Sequence, residues 1–452
     1  MPELHFKQAL LPGGWSRDVL VSMEGGRISA VAAGVAAGDA CERHATGLPG
    51  LPNLHSHGFQ RGMAGLTEIR GASSDSFWTW RDLMYRFVDR MTPDDVEAIT
   101  AQAYVDMLEA GFTRVGEFHY LHHDPSGVPY ADIAELGGRI AAAAKASGIG
   151  LTLLPVFYAH GGFGGRVPDP GQRRFLNTVD RFARLVEESR RAVAECSSAN
   201  VGIAPHSLRA ITPDELAAIV PLGVGGPIHI HVAEQTREVD DCIAWSRARP
   251  VQWLLDHAPV DRRWCLIHAT HMTGEESHAM AATGAVAGLC PVTEANLGDG
   301  IFDAQAFGAS GGQFGVGTDS NVLIGVADEL RQLEYSQRLA LRARNVMATP
   351  LTASTGRALF DGALAGGAQA LGIASGLAPG LAADIVSLDA ESLALAGRSG
   401  DAILDGWIFG SPRPLVDCVW TSGRKVVTKG RHHQAESVAA VFRRRLEGLL
   451  AE

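Results

Sequence analysis

The sequence predicts an α/β protein: a (β/α)8 TIM-like barrel with a small β-sandwich domain built from both chain termini. Three observations predict it. Between residues 49 and 373, eight short apolar segments alternate with stretches of helical character. Both ends are instead rich in β-branched residues punctuated by Gly and Asp. The side chains able to do chemistry fall where the apolar segments stop, and a barrel carries its active site at the C-terminal ends of its strands.

The 452-residue chain is long enough for a barrel of roughly 250 residues and a second, smaller domain. Residues 1–48 and 374–452 are expected to form the composite β domain, and residues 49–373 the barrel. Segments 19–23 and 27–32 flank Glu24-Gly25-Gly26, a hairpin signal. Segments 383–388, 414–421 and 425–428 read as strands, with a turn at Gly423-Arg424. Residues 436–450 have helical spacing. The barrel strands are expected at 50–54, 113–118, 150–157, 201–204, 227–232, 264–267, 285–289 and 314–316. Their unbroken apolar character suits parallel strands covered on both faces. Helical stretches at 93–110, 139–147, 213–219, 275–283 and 328–347 separate them.

Lys and Arg total 39 against 50 Asp and Glu, a net charge of −11. Such a surface disfavours nucleic acid and anionic membranes, but is compatible with a small anionic substrate held by local arginines. The six cysteines (Cys41, Cys196, Cys242, Cys265, Cys290 and Cys418) contain no C-x-x-C pair and read as reduced thiols of a cytoplasmic protein. No basic-then-apolar leader is visible, and no 18-residue uncharged apolar run suggests a membrane span.

Six of the eight expected strands end in metal-competent or ionisable residues: His55-Ser56-His57, Glu117-Phe118-His119-Tyr120, Pro205-His206-Ser207, His229-Ile230-His231 followed by Glu234, His268, and Gly317-Thr318-Asp319. Strand side chains alternate, so His55 and His57 point the same way and can share one ion. With His231 and Asp319 they make a nitrogen and oxygen set that favours one divalent metal, Zn2+ first and Fe2+ as the alternative. A bound cation lowers the pKa of water from about 15.7 toward about 7. Glu234, three residues beyond His231, is placed to move protons between that water and a leaving nitrogen. His268 could orient or polarise the water or stabilise the tetrahedral intermediate, and Asp319 could hold a proton as well as the metal.

The remaining histidines read differently. His229 is expected to be hydrogen-bonded deeper in the barrel. His119, His122 and His123 either line the cleft or are solvated. His5, His44, His432 and His433 are expected at the surface. Arg81, in the loop after the first barrel strand, and Arg209, with His206 after the fourth, open onto one rim and could each grip a carboxylate through a guanidinium fork. Phe77, Trp78 and Trp80 form part of a water-excluding lid or pack the loop.

With these residues assembled, the sequence resembles the amidohydrolase superfamily over nearly its whole length. The likeness lies in residues 49–57, in His231-Val232-Ala233-Glu234, in Gly317-Thr318-Asp319-Ser320 and in residues 377–386. No Lys stands at the end of the third or fourth strand to become a carbamylated bridge, so the pattern resembles the one-metal deaminase branch. Residues 58–65, 77–81, 117–122 and 204–210 are most similar to the formimidoylglutamate deiminases. That resemblance implies hydrolysis of N-formimidoyl-L-glutamate to N-formyl-L-glutamate and ammonia, in histidine degradation. It implies metal ligands at His55, His57, His231 and Asp319, acid/base work at Glu234 and His268, and substrate contacts at Gln60, Arg81, Tyr120, His206 and Arg209. It also implies a homodimer. The alternatives are another one-metal deaminase, acting on guanine, cytosine or a guanidino compound, and a non-catalytic barrel. The last would be expected to have lost ligands, and each ligand candidate is present.

Overall fold

The structure, a computed structural model, describes residues 3–39, 41–70, 76–196 and 198–451. The chain opens with β1 (Glu3–Leu11), β2 (Gly14–Glu24), β3 (Arg27–Ala32) and β4 (Glu42–Pro49). The middle carries β5 (Leu51–Ser56), β6 (Phe112–His119), β7 (Gly150–Phe157), β8 (Asn200–Val201), β9 (Ala204–Pro205), β10 (Ile228–Val232), β11 (Trp264–His268), β12 (Val286–Leu289) and β13 (Gln313–Val316). The C-terminal part adds β14 (Ile385–Leu388), β15 (Val416–Thr421), β16 (Arg424–Thr428) and β17 (Arg431–His432), then the helix Ala435–Ala451.

The two ends of the chain meet in one sheet of order β17-β16-β15-β14-β4-β1-β2-β3. The seam is the antiparallel pair β4–β14, where Leu48 faces Val386. β1 and β4 run parallel, so the sheet is mixed. In hydrogen-bonding terms the expected sandwich is therefore one continuous eight-stranded sheet. Its own core contains Leu4, Phe6, Val19, Val21, Ile385 and Trp420. The β2–β3 hairpin closes through Gly25 and Gly26, with φ of 57° and 81°, the left-handed pair a two-residue turn requires. The later turn lies at Ser422-Gly423, one residue before the expected place, because Ser422 donates its N–H to Asp384 Oδ1 at 2.7 Å. His5 and His432 are buried rather than at the surface; their rings bond the carbonyls of Val35 and Ser147.

The middle strands form two parallel sheets, β5-β6-β7-β8 and β10-β11-β12-β13. The fourth expected strand is split into β8 and β9, and Pro205 has no N–H to continue a ladder. Between the split strand and β10, Ile203 bridges Ile228 and Ser207 bridges His231. At the other edges Ser56 bridges Asp319: His57 N–H donates to the Asp319 carbonyl at 2.9 Å, and Asp319 N–H to the His55 carbonyl at 3.0 Å. Helices Pro93–Glu109, Glu135–Ser147, Pro213–Ile219 and Gly274–Thr283 lie where the sequence predicts them. Three of these begin with reciprocal caps, Thr92 with Asp95, Thr212 with Glu215 and Thr273 with Glu276. The helix expected at 328–347 runs Val326–Leu341 instead. Glu334 accepts the N–H groups of Val346 and Met347 and folds the chain back after Arg342, whose φ is 54°. No helix among the described residues is long and apolar enough to cross a membrane.

The glycine-rich helix Thr355–Ala370 packs against β13 so closely that a Cβ on Gly366 would lie 1.9 Å from the Phe314 carbonyl oxygen. Gly366→Ala is expected to cost about 1–3 kcal/mol through overpacking, read as a lowered midpoint of thermal unfolding.

Candidate active site

The strand ends bring four side chains to one point. His55 is on β5, His57 follows it, His231 is on β10 and Asp319 follows β13. His55 Nε2 and His57 Nε2 lie 3.3 and 3.2 Å from Asp319 Oδ1, and His55 Nε2 lies 3.1 Å from His231 Nε2. All four are buried and offer one ligand atom each to a common position. The backbone chooses the tautomers: His57 Nδ1 bonds the Phe118 carbonyl at 2.9 Å, and His231 Nδ1 bonds the His206 carbonyl at 3.1 Å. A carbonyl only accepts, so Nδ1 carries the hydrogen and each Nε2 presents a lone pair. His231 Nε2 points its lone pair at His55 Nε2 across 3.1 Å, and a cation shared by the two nitrogens fits that arrangement. These three spacings of 3.1–3.3 Å are short enough for the atoms to share one ion at ligand distances of about 2.0–2.2 Å. Burial also keeps the His55 and His231 imidazoles neutral, His55 down at about 3 and His231 well below its ordinary value. The residues therefore fit a divalent metal.

The backbone at these strand ends is strained. Ala233, His268, Ala269, Asp319 and Asn321 have φ between 44° and 65°, a region that costs a non-glycine residue about 1–3 kcal/mol. Hydrogen bonds hold each bend. Asn321 Nδ2 donates to Ser56 Oγ and to the carbonyls of His57 and Asp319, all at 3.1 Å. Asn53 ties in Thr318 at 2.7 Å. Glu238 accepts the N–H groups of Ala233 and Glu234 at 3.3 and 3.1 Å.

Glu234 and His268 meet beside the ligand cluster. His268 Nε2 lies 3.8 Å from Glu234 Oε1 and 3.9 Å from Asp319 Oδ2. Its Nδ1 lies 3.2 Å from Glu294 Oε1. Burial pushes the Glu234 carboxyl up to about 7, against the opposing charges of His268 and Arg209. Burial alone would lower His268, but the Glu234 charge and the Glu294 hydrogen bond outweigh it and raise it to about 10.

A pocket opens over this group. Every residue expected as a metal ligand, acid/base group or substrate contact lines it except His55: His57, Gln60, Arg81, Tyr120, His206, Arg209, His231, Glu234, His268 and Asp319. Gln60 Nε2 donates to Tyr120 Oη at 2.8 Å, and Gln60 Oε1 is buried without a partner. Arg81 lies on the helix Phe77–Val88 rather than in a loop. Its guanidinium carbon is 4.7 Å from the Trp78 ring centre, and that of Arg209 is 5.7 Å away. The Nε atoms of both arginines are buried without partners. Among the described residues Arg81 has no carboxylate within ion-pair distance, and Arg209 has only Glu234, at 3.8 Å.

His229 behaves as expected, bonding the Ala370 carbonyl at 2.7 Å. His119, His122 and His123 follow neither expected course: all are buried and none lines the pocket. His122 and His123 bond the carbonyls of Val156 and Leu176. Tyr85, Tyr158 and Phe175 line the pocket without having been anticipated, and neither was the support from Glu238 and Glu294. Tyr158 had a signal: it is the first residue past β7, where strand-end chemistry belongs. Tyr85 and Phe175 had none, since only packing brings them to the rim.

The amidohydrolase family profile matches residues 46–426, and that of the formimidoylglutamate deiminase HutF N-terminal domain matches residues 1–45. The chain belongs to the amidohydrolase family. It is similar to a formimidoylglutamate deiminase from Pseudomonas aeruginosa, 51% identical over 445 residues that span 98% of each chain. It is 30% identical to a 5-methylthioadenosine/S-adenosylhomocysteine deaminase from Natronomonas pharaonis, over 83% of this chain and 81% of that one. Among solved structures, an amidohydrolase from Brucella melitensis aligns over all of both chains, with a TM-score of 0.97 and 58% identity. A zinc complex of atrazine chlorohydrolase from Arthrobacter aurescens shares the fold, with a TM-score of 0.83 and 20% identity over 99% of this chain and 100% of that one. The family likeness read from the strand-end motifs is thus borne out, and a candidate metal site stands where those motifs put it.

A Cβ on Gly317 would lie 2.7–2.8 Å from the backbone and Cβ of His55. Gly317→Ala is therefore expected to displace a ligand and lower the metal bound per chain, measured by elemental analysis, while the purified protein stays folded by circular dichroism.

Proposed function

We propose that the protein hydrolyses N-formimidoyl-L-glutamate to N-formyl-L-glutamate and ammonia, in histidine degradation. One observation carries the reading: two guanidiniums, each with a buried Nε that lacks a partner and with Glu234, beside Arg209, as the one carboxylate nearby among the described residues, share a pocket with a four-ligand metal cluster. A buried unpaired cation is costly, so the pocket favours an anion at that end. Formimidoylglutamate has two carboxylates and an amidine. The 51% identity to the P. aeruginosa formimidoylglutamate deiminase supports the same substrate.

In this reading His55, His57, His231 and Asp319 hold one divalent ion, Zn2+ by the donor set. When bound, the ion supplies Lewis acidity and lowers the pKa of water toward about 7. Arg81 and Arg209 grip the carboxylates, while Gln60, Tyr120 and His206 orient the rest of the substrate. Burial keeps the His206 ring neutral, well below its ordinary value. Water adds to the amidine carbon. Glu234, with its carboxyl near 7, takes the proton of the attacking water and delivers it to the departing nitrogen. His268 Nε2 stands between Glu234 and Asp319 and orients the water. As the C–N bond breaks, Asp319 takes the remaining hydroxyl proton and Glu234 passes it on to the nitrogen, so both protons of the water end on the departing ammonia and the carbonyl of the formyl product forms.

The two parallel sheets, bridged at both pairs of edges, support one closed (β/α)8 barrel at residues 49–373. Residues 1–48 and 374–452 then make up the second domain. Six free cysteines support a reducing, cytoplasmic setting.

Ammonia release from formimidoylglutamate, assayed beside guanine and cytosine, tests the substrate; release from either base in preference would refute it. Chelation is expected to abolish turnover and added Zn2+ or Fe2+ to restore it, whereas full activity in metal-free protein excludes the mechanism. Glu234→Gln is expected to keep the metal and lower kcat by about 10²–10⁴-fold; near-normal turnover would remove Glu234 from proton transfer. Arg209→Ala is expected to raise KM for the dianion far more than for a neutral amidine, and equal effects would argue against a carboxylate clamp.

A further inference from the structure

We propose that Glu294 is a positioning residue that turns the His268 imidazole so that Nε2 faces Glu234 and Asp319. The catalytic value of this device rests on the function proposed above; its geometry does not.

His268 is the last residue of β11 and sits at φ 65°, with Ala269 following at φ 48°. At such a bend the strand ladder no longer dictates where the side chain points. The ring stacks on His231, with centroids 5.6 Å apart and planes inclined by 14°. Stacking fixes the plane of the ring but not which edge faces the pocket. Half a turn about Cβ–Cγ preserves the stack while exchanging each nitrogen with a carbon. One of these two orientations puts Nε2 within 3.8 Å of Glu234 and 3.9 Å of Asp319; the other puts a carbon there.

Glu294 distinguishes them. Its Oε1 lies 3.2 Å from His268 Nδ1 and also accepts the Cys290 N–H at 2.9 Å. The Glu294 N–H in turn bonds the Cys290 carbonyl at 2.8 Å, so the acceptor is pinned at both ends of its residue. A carboxylate oxygen accepts only, so His268 Nδ1 carries the hydrogen. Glu294 comes from the unit after β12, and both it and His268 are buried. Water has little access to replace it as acceptor.

Three measurements on the metal-loaded protein test this. Glu294→Leu, close in size but without an acceptor, is expected to lower kcat on formimidoylglutamate by about 10–100-fold, with KM and bound metal little changed. Glu294→Gln retains an oxygen for Nδ1 and is expected to recover most of that loss. Nitrogen-15 spectra are expected to show a hydrogen on His268 Nδ1 in the wild type, and a smaller population carrying one there in Glu294→Leu. Wild-type turnover in Glu294→Leu, loss of metal from it, failure of Glu294→Gln to recover activity, or a bare Nδ1 in the wild type would each overturn the proposal. Should Glu294→Leu not fold, Glu294→Gln and the wild-type spectrum decide. Should the wild type not hydrolyse formimidoylglutamate, the substrate reading fails and the spectra still decide the role of Glu294.

Discussion

Three imidazole nitrogens and a carboxylate oxygen lie within 4.8 Å of one another in a buried setting, three of the pairs at 3.1–3.3 Å, and the rest of the site is arranged around that fact. Lone pairs so close repel, and the repulsion grows as water is removed. The cluster is compatible with burial once a cation stands among them. Its outer anchors share this logic: the Nδ1 atoms of His57 and His231 bond main-chain carbonyls, so rigid backbone holds the rings and sets their tautomers. The edge bonds between β5 and the chain after β13 bring Asp319 to the other ligands.

Strain is concentrated at the same place. Five non-glycine residues at the strand ends adopt left-handed backbone, and buried side chains from neighbouring elements hold those turns. Asn321 serves Asp319, Glu238 serves Glu234 and Glu294 serves His268. The reacting groups therefore project from a rigid frame, which lets them act with little reorganisation.

Two arginines give the pocket cationic character as well. The chain carries a net charge of −11, yet Arg81 and Arg209 stand in the pocket with no close carboxylate other than Glu234. An uncharged ring would leave the buried Nε groups of these guanidiniums unpaired, a penalty that discriminates against it. A dicarboxylate relieves it. Metal ligands and guanidiniums lining one pocket fit a molecule with an electrophilic carbon and anionic groups a few bonds apart.

Much of this was legible in the sequence, because parallel strands announce themselves as short apolar runs and barrel chemistry gathers where those runs stop. His55, His57, His231 and Asp319 could be named from position, as could Glu234, His268 and the two arginines. What was not legible depends on side chains from separate units meeting. Tyr85 and Phe175 reach the pocket only through packing, and His119, His122 and His123 looked like cleft residues until the fold buried them on backbone carbonyls. The end domain shows the same division: its strands could be read, while their union in one sheet through β4 and β14 could not. Sequence by itself determined which chemical groups stand at the strand ends, since that follows from local periodicity. Only the tertiary structure decided tautomer, ring direction and counter-charge, because each depends on a partner supplied by a distant part of the chain.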